Sequence, residues 1–102
     1  MISRIWHGYA TLNNAEEYEQ IFKEEVIEII QEKAITGFKG VELLKRPFGK
    51  EMEFMTIMRF NDIESVKAFA GEDYETAFVP SKVQEILTRF DSQVAHYETV
   101  EC

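Results

Sequence analysis

The sequence predicts an α+β domain of ferredoxin-like type: a four-stranded antiparallel sheet in β-α-β-β-α-β order, with helices on one face. Three observations carry this. Four extended apolar runs alternate with segments of helical period, two runs before and two after a short central turn. The chain has 102 residues, 45 % hydrophobic, 13 % aromatic and 29 % charged, which is a globular composition and enough for one domain, 1–102. Turn and cap residues fall at the joints between the runs.

Taken in order, residues 2–11 carry Ile, Trp, Tyr and Thr without helical period and predict a strand. Asn13-Asn14 offers an N-cap, with Glu16, Glu17 and Glu19 near the first turn, where the helix dipole favours anions. Tyr18, Ile21, Phe22, Val26, Ile29 and Ile30 then recur at spacings of three and four, so 14–33 predicts a long amphipathic helix. Gly37 and Gly40 are expected to close it and open a strand over 39–46. Pro47-Phe48-Gly49-Lys50 predicts a turn, and 51–60 the third strand. Asn61 and Glu64 resemble a capping box for a short helix over 62–70, ended by Gly71. Residues 72–79 read as irregular. Pro80 suits a first helical position, giving a helix over 80–89 and a last strand over 92–100.

Charge and composition exclude several function classes. Asp and Glu outnumber Lys and Arg by 19 to 11, a net charge of −8 with no basic run, so nucleic acid is not expected as a partner. No apolar run approaches a membrane span, and Cys102 is the only cysteine, so neither an internal disulfide nor a thiolate zinc site can form within one chain. A cytoplasmic protein is the expectation. The helix over 14–33 carries seven glutamates against two lysines on its outer side, which reads as a solvated face.

The middle strands bear on assembly. Met52, Phe54, Met58 and Phe60 point one way and Met55 and Ile57 the other; Trp6 and Ala10 oppose Ile5 and Tyr9. A half-solvated sheet alternates apolar with polar residues, whereas these strands are apolar on both sides. The helices of one chain cover one side only. A homodimer packed through the other sheet face is therefore expected.

Candidate chemistry is sparse. His7 and His96 are the two histidines, and either can serve as a base near neutral pH; the plain alternative for each is one hydrogen bond in a half-buried strand. His96 and Glu98 share a strand face, but two ligands are too few for a metal. Trp6, Tyr9, Tyr74 and Tyr97 suit an aromatic-lined pocket, or ordinary packing. Arg4 and Arg59 lie in apolar strands and need an anion if buried: a structural partner such as Glu53, Glu98 or Asp91, or a substrate carboxylate or oxyanion. Lys45, Arg46 and Lys50 read as a solvated hairpin tip.

Arg4-Ile5-Trp6-His7-Gly8, Ala68-Phe69-Ala70-Gly71-Glu72-Asp73-Tyr74-Glu75 with Val79-Pro80, and Arg89-Phe90-Asp91 with His96-Tyr97-Glu98 resemble one branch of the antibiotic biosynthesis monooxygenase-like domains, along essentially the whole chain. The resemblance implies a dimeric α/β barrel with a cavity between sheet and helices in each chain. It implies oxygenation of a small aromatic, phenol- or quinol-type substrate without metal or flavin; an electron-rich substrate anion can itself reduce O₂, so no cofactor is obligatory. His7 or His96 would then be the base and Arg59 or Arg4 the holder of the anion. Trp6 and Tyr74 would form walls, with 71–79 as a lid. The alternative is a non-catalytic barrel binding a small hydrophobic molecule. The haem-degrading branch is a third reading. It uses an Asn on the first strand, a later Trp and a His after the second helical region; here the first strand has no Asn, Trp6 is the sole tryptophan and no His lies between 8 and 95.

Overall fold

The computed structural model describes all residues, Met1–Cys102. Its elements are β1 (Ile2–Thr11), α1 (Ala15–Ile21), a π-helical turn (Phe22–Val26), α2 (Ile27–Lys33), β2 (Phe38–Phe48), β3 (Glu51–Phe60), α3 (Ile63–Ala70), α4 (Ser81–Ile86), β4 (Leu87–Phe90) and β5 (Ala95–Glu98). The strands form one antiparallel sheet in the order β2-β3-β1-β4, with β5 also on β1. It is the ferredoxin-like arrangement, with helices on one face.

Several boundaries differ from expectation for physical reasons. The helix over 14–33 is continuous but widens midway, where the Ile27 N–H bonds to the Phe22 carbonyl. It ends at Ala34 in the left-handed region, φ 47°, and not at Gly37. Gly37 is needed for space: a Cβ there would stand 1.8 Å from Ser65 Oγ. β2 runs through Pro47 and Phe48, because an edge strand tolerates a missing N–H; the turn shrinks to Gly49-Lys50, with Gly49 at φ 64°. The cap of α3 is Asp62 and not Asn61: its carboxylate accepts from the Ser65 N–H and hydroxyl, both at 2.9 Å. Pro80 stands just before α4 and the helix stops at Ile86, because Leu87–Phe90 pair with Gly8–Ala10 and the ladder overrides the helical spacing.

The fourth lane of the sheet is broken in two, which makes five strands of the expected four. β4 pairs with the Gly8–Ala10 end of β1 and β5 with Ile2–Ile5. Between them Asp91 still donates its N–H to the His7 carbonyl, and Ser92–Val94 leave the ladder and bond to the 72–79 segment: Ala77 N–H to the Ser92 carbonyl, Val94 N–H to the Glu75 carbonyl. That segment is irregular, as expected, yet tied down along its length.

The two faces of the sheet sort as the alternation predicts. Toward the helices lie Arg4, Trp6, Gly8 and Ala10 of β1 with Phe54, Thr56, Met58 and Phe60 of β3. Ala10, Phe54, Phe60 and Val66 are fully buried, and the Tyr18 ring packs at a tilt against Phe54, 4.6 Å between centres. The other face presents Ile5, His7, Tyr9, Met55 and Ile57, with Leu44, Phe48 and Tyr97 exposed around them. No helix is long and apolar enough to cross a membrane.

Candidate functional site

Between the inner face of the sheet and the helices lies a cavity of about 430 Å³, within the usual size range of small-molecule sites. Of its 19 lining residues 14 are hydrophobic. The stripe of the long helix supplies one wall through Tyr18, Phe22 and Ile30. Trp6 and Thr56, paired across β1 and β3, form the floor. Phe69 of α3 and the 76–80 segment complete the enclosure.

Trp6 is held by two devices. Its indole Nε1–H donates to the Asp91 carbonyl at 2.8 Å, where the fourth lane leaves the ladder. Its ring lies over Gly8, where a Cβ would meet Cη2 at 2.9 Å and Leu87 Cδ1 at 3.0 Å. Only glycine admits the indole so close to the backbone.

Arg4 is the one buried charge of the cavity, 8 % exposed. Its Nη1 donates to the Tyr74 carbonyl at 2.7 Å and to His96 Nε2 at 2.9 Å. No carboxylate lies within ion-pair distance of it; Glu53, Glu98 and Asp91, the partners expected of a structural arginine, are all elsewhere. Every fully buried side-chain nitrogen and oxygen in the chain has a partner, so Nε and Nη2 of Arg4, which have none, are not fully buried, and Arg4 lines the cavity. Burial lowers the pKa of Arg4 from its ordinary value, the signature of a cation short of solvent. Since arginine can only donate, His96 accepts through Nε2 and carries its proton on Nδ1. Burial first, and then the charge of Arg4, push the His96 pKa down, with Glu75 acting in the opposite sense. His96 is thus a neutral ring whose free lone pair is spent on orienting Arg4. Its ring meets that of Tyr74 edge to face, 5.2 Å between centres, and both line a second, more open concavity.

The remaining polar groups of the cavity are hydroxyls and one mouth lysine. Burial pushes the Tyr18 phenol up to about 12, against the opposing effect of the Thr56 hydroxyl, so it remains a neutral donor. Lys33 donates to the Phe69 carbonyl at 2.7 Å and stands over the Phe69 ring.

Among the residues singled out from sequence, Arg4 and Trp6 line the cavity, Tyr74 and His96 reach Arg4 without lining it, so Tyr74 is not the wall expected of it, and the others lie elsewhere. His7 lies on the opposite face of the sheet, where its Nδ1 and backbone N–H both meet Asp91 Oδ2, at 2.9 and 3.0 Å. Arg59 is on that face too, paired with Glu42. Tyr9 donates to Glu53 and lies under Arg89, whose guanidinium carbon is 3.6 Å from the ring centre. Glu53, nearly buried, is held by Arg46. Tyr18, Thr56, Lys33 and Phe69 escaped the sequence reading. Tyr18 was legible only as one more apolar position in a helical stripe, and Thr56 as the odd polar residue in an apolar strand.

With this architecture the chain has the fold of the antibiotic biosynthesis monooxygenase domains. Three solved structures share it over almost their whole length. A point mutant of MhuD, with two manganese protoporphyrin IX molecules bound per active site, matches at a TM-score of 0.68 and 18 % identity, covering 100 % of this chain and 97 % of that one. A Bacillus cereus protein described as a candidate antibiotic biosynthesis monooxygenase matches at 0.69 and 14 %, covering 100 % and 95 %. A structure described as an antibiotic biosynthesis monooxygenase matches at 0.66 and 14 %, covering 99 % and 100 %. No protein-family model and no curated protein sequence matches the chain.

Proposed function

We propose that the protein is a cofactor-independent, monooxygenase-like homodimer that binds a small aromatic molecule of phenol or quinol type in the sheet–helix cavity, as the anion, against Arg4. The observation that carries this is a buried guanidinium with free donors facing an apolar cavity and no carboxylate to neutralise it. An isolated buried charge is costly, and an anionic ligand offsets that cost. In so dry a site the guanidinium favours the ionised form of a bound phenol or enol, whose proton is lost to solvent.

An electron-rich carbanion held there passes one electron to O₂, and the resulting radical and superoxide combine as a peroxide. Loss of water leaves a carbonyl, so that CH₂ plus O₂ becomes C=O plus H₂O. Arg4 holds the charge, His96 and the Tyr74 carbonyl hold Arg4, and Trp6 and Phe69 bound the ring plane. The apolar open face of Ile5, Met55 and Ile57, which no helix of the chain covers, supports the homodimer, and a reducing cytoplasm suits a chain whose one cysteine, Cys102, is free.

The test is O₂ uptake with an anthrone- or quinol-type substrate, compared with the uncatalysed rate. Accelerated uptake that Arg4→Met abolishes is the expected result; no uptake and no binding would overturn it. Binding without uptake establishes the second reading, a non-catalytic carrier. One observation favours that reading: no side chain lining the cavity has a free basic lone pair, since His96 gives its own to Arg4 and His7 lies across the sheet. Haem fits less well. Neither histidine lines the cavity and the Tyr18 phenol is held neutral, so neither a histidine nor a tyrosinate is supplied as proximal ligand to haem iron.

A further inference from the structure

We propose that the cavity selects aromatic ligands bearing two acid groups, one held by Arg4 inside and the second, a carboxylate, held by Lys33 at the mouth. This deepens the reading of Arg4 as an anion holder and rests on it. Arg4 and Lys33 are the only charged residues of the lining, both are cationic, and neither has a carboxylate within ion-pair distance. Acids outnumber bases in the chain by 19 to 11, and apart from these two only Lys23, Lys39 and Lys50 lack an ion-pair partner. Six of the other nine cations are paired, among them Lys82 with Glu25 on the outer side of the same long helix.

The position of Lys33 follows from the fold. It continues the stripe Val26, Ile29 and Ile30 that lines the cavity, and so is the charged end of an apolar wall. One of its three N–H groups is fixed on the Phe69 carbonyl at 2.7 Å, which aims the ammonium and leaves two donors free. Phe69 bounds the distance. Its ring centre is 5.8 Å from the Arg4 guanidinium carbon and 4.7 Å from Lys33 Nζ, so the two charges lie within about 10.5 Å of each other, the sum of those distances. That limit is an upper one, and a fused two-ring aromatic with acid groups at opposite ends is long enough to reach both charges with its rings beside Phe69. Outside the mouth the long helix carries seven glutamates against Lys23 and Lys33, so Lys33 offers a local cation on a predominantly acidic surface.

The experiment is calorimetric titration of the full chain with two probes, a naphthol and a hydroxynaphthoate whose hydroxyl and carboxylate lie at opposite ends of the ring system. The hydroxynaphthoate is expected to bind about tenfold more tightly, the strength of one charge-assisted hydrogen bond. In Lys33→Gln, whose amide still donates to the Phe69 carbonyl, that preference falls below about threefold; in Lys33→Arg it persists. Added salt erodes the preference in the wild-type protein. Equal affinities for the two probes in wild type would overturn the proposal while leaving the anion site at Arg4 standing, as would a preference that survives in Lys33→Gln. Failure of both probes to bind would overturn both.

Discussion

Replacing Arg4 by Met separates ligand binding from folding. The side chain fills comparable space in an apolar cavity but removes the charge. A bound phenolate loses a charge-assisted hydrogen bond worth about 1.5–3 kcal/mol, so its dissociation constant rises roughly 10- to 100-fold. Folding is affected in two opposing ways. The bonds to the Tyr74 carbonyl and His96 Nε2, at 2.7 and 2.9 Å, are lost, each a charge-assisted bond worth about 1.5–3 kcal/mol. Against this, a nearly buried cation with no carboxylate partner no longer has to be desolvated. The two effects nearly cancel, and the expected change in stability is within about 1 kcal/mol, a Tm shift of roughly 4–8 °C at most for a domain of this length. Calorimetric titration with a naphtholate and with uncharged naphthalene reads the first quantity, and a thermal melt reads the second. The naphtholate should weaken and naphthalene should not. Equal weakening of both ligands, or a loss of stability above about 4 kcal/mol, would refute the reasoning, because Arg4 would then be a structural strut and not an anion holder.

Three further outcomes follow from the same geometry. Gly8→Ala places a Cβ 2.9 Å from the Trp6 ring, which must tilt; a loss of about 1–3 kcal/mol and a shifted emission maximum of the sole tryptophan are expected in urea unfolding followed by fluorescence. Tyr18 has its pKa raised to about 12, so the native phenol stays protonated while the unfolded one ionises near 10; stability should hold below pH 10 and fall by about 2–3 kcal/mol between pH 10 and 12, and Tyr18→Phe should remove that part of the alkaline loss. His96 has its pKa lowered, so its contribution is present above pH 6.5 and lost as pH falls through the lower native value; histidine NMR titration should show residue 96 protonating below 6.5, and His96→Gln should flatten the acid limb of the stability profile.

Much of the fold was legible because it rests on local periodicity. The alternation along 2–11 and 51–60 sorted Trp6 and Phe54 from Ile5 and Ile57 correctly, since a strand has a fixed period of two. The helix over 80–89 failed at Leu87 because a ladder to Gly8–Ala10, nearly 80 residues away in sequence, outweighs a short run of helical spacing. The split of the last strand was hidden for the same reason, since the bonds that draw Ser92–Val94 aside come from 75–77. At the site, sequence reading found Arg4 and Trp6 by their oddity within a strand. It could not tell that His7 and His96, both on strands beside one another, would fall on opposite sides of the sheet. Register decides that: Arg4 stands opposite His96, which turns His7 away. Tyr18 and Thr56 stayed invisible because a phenol in an apolar stripe and a threonine in a strand both look like packing.

Asp91 grips an aromatic ring on either side of the sheet: its carbonyl takes the Trp6 indole N–H, and its carboxylate takes the His7 imidazole. The two surfaces are therefore mechanically yoked at one position. A change confined to the side chain, such as Asp91→Asn, loosens the outer ring alone, whereas any slip of the main chain there disturbs the cavity floor and the outer surface together. Mutations that refashion one side while sparing the other must leave this backbone kink where it is, which narrows the routes by which either surface can diverge.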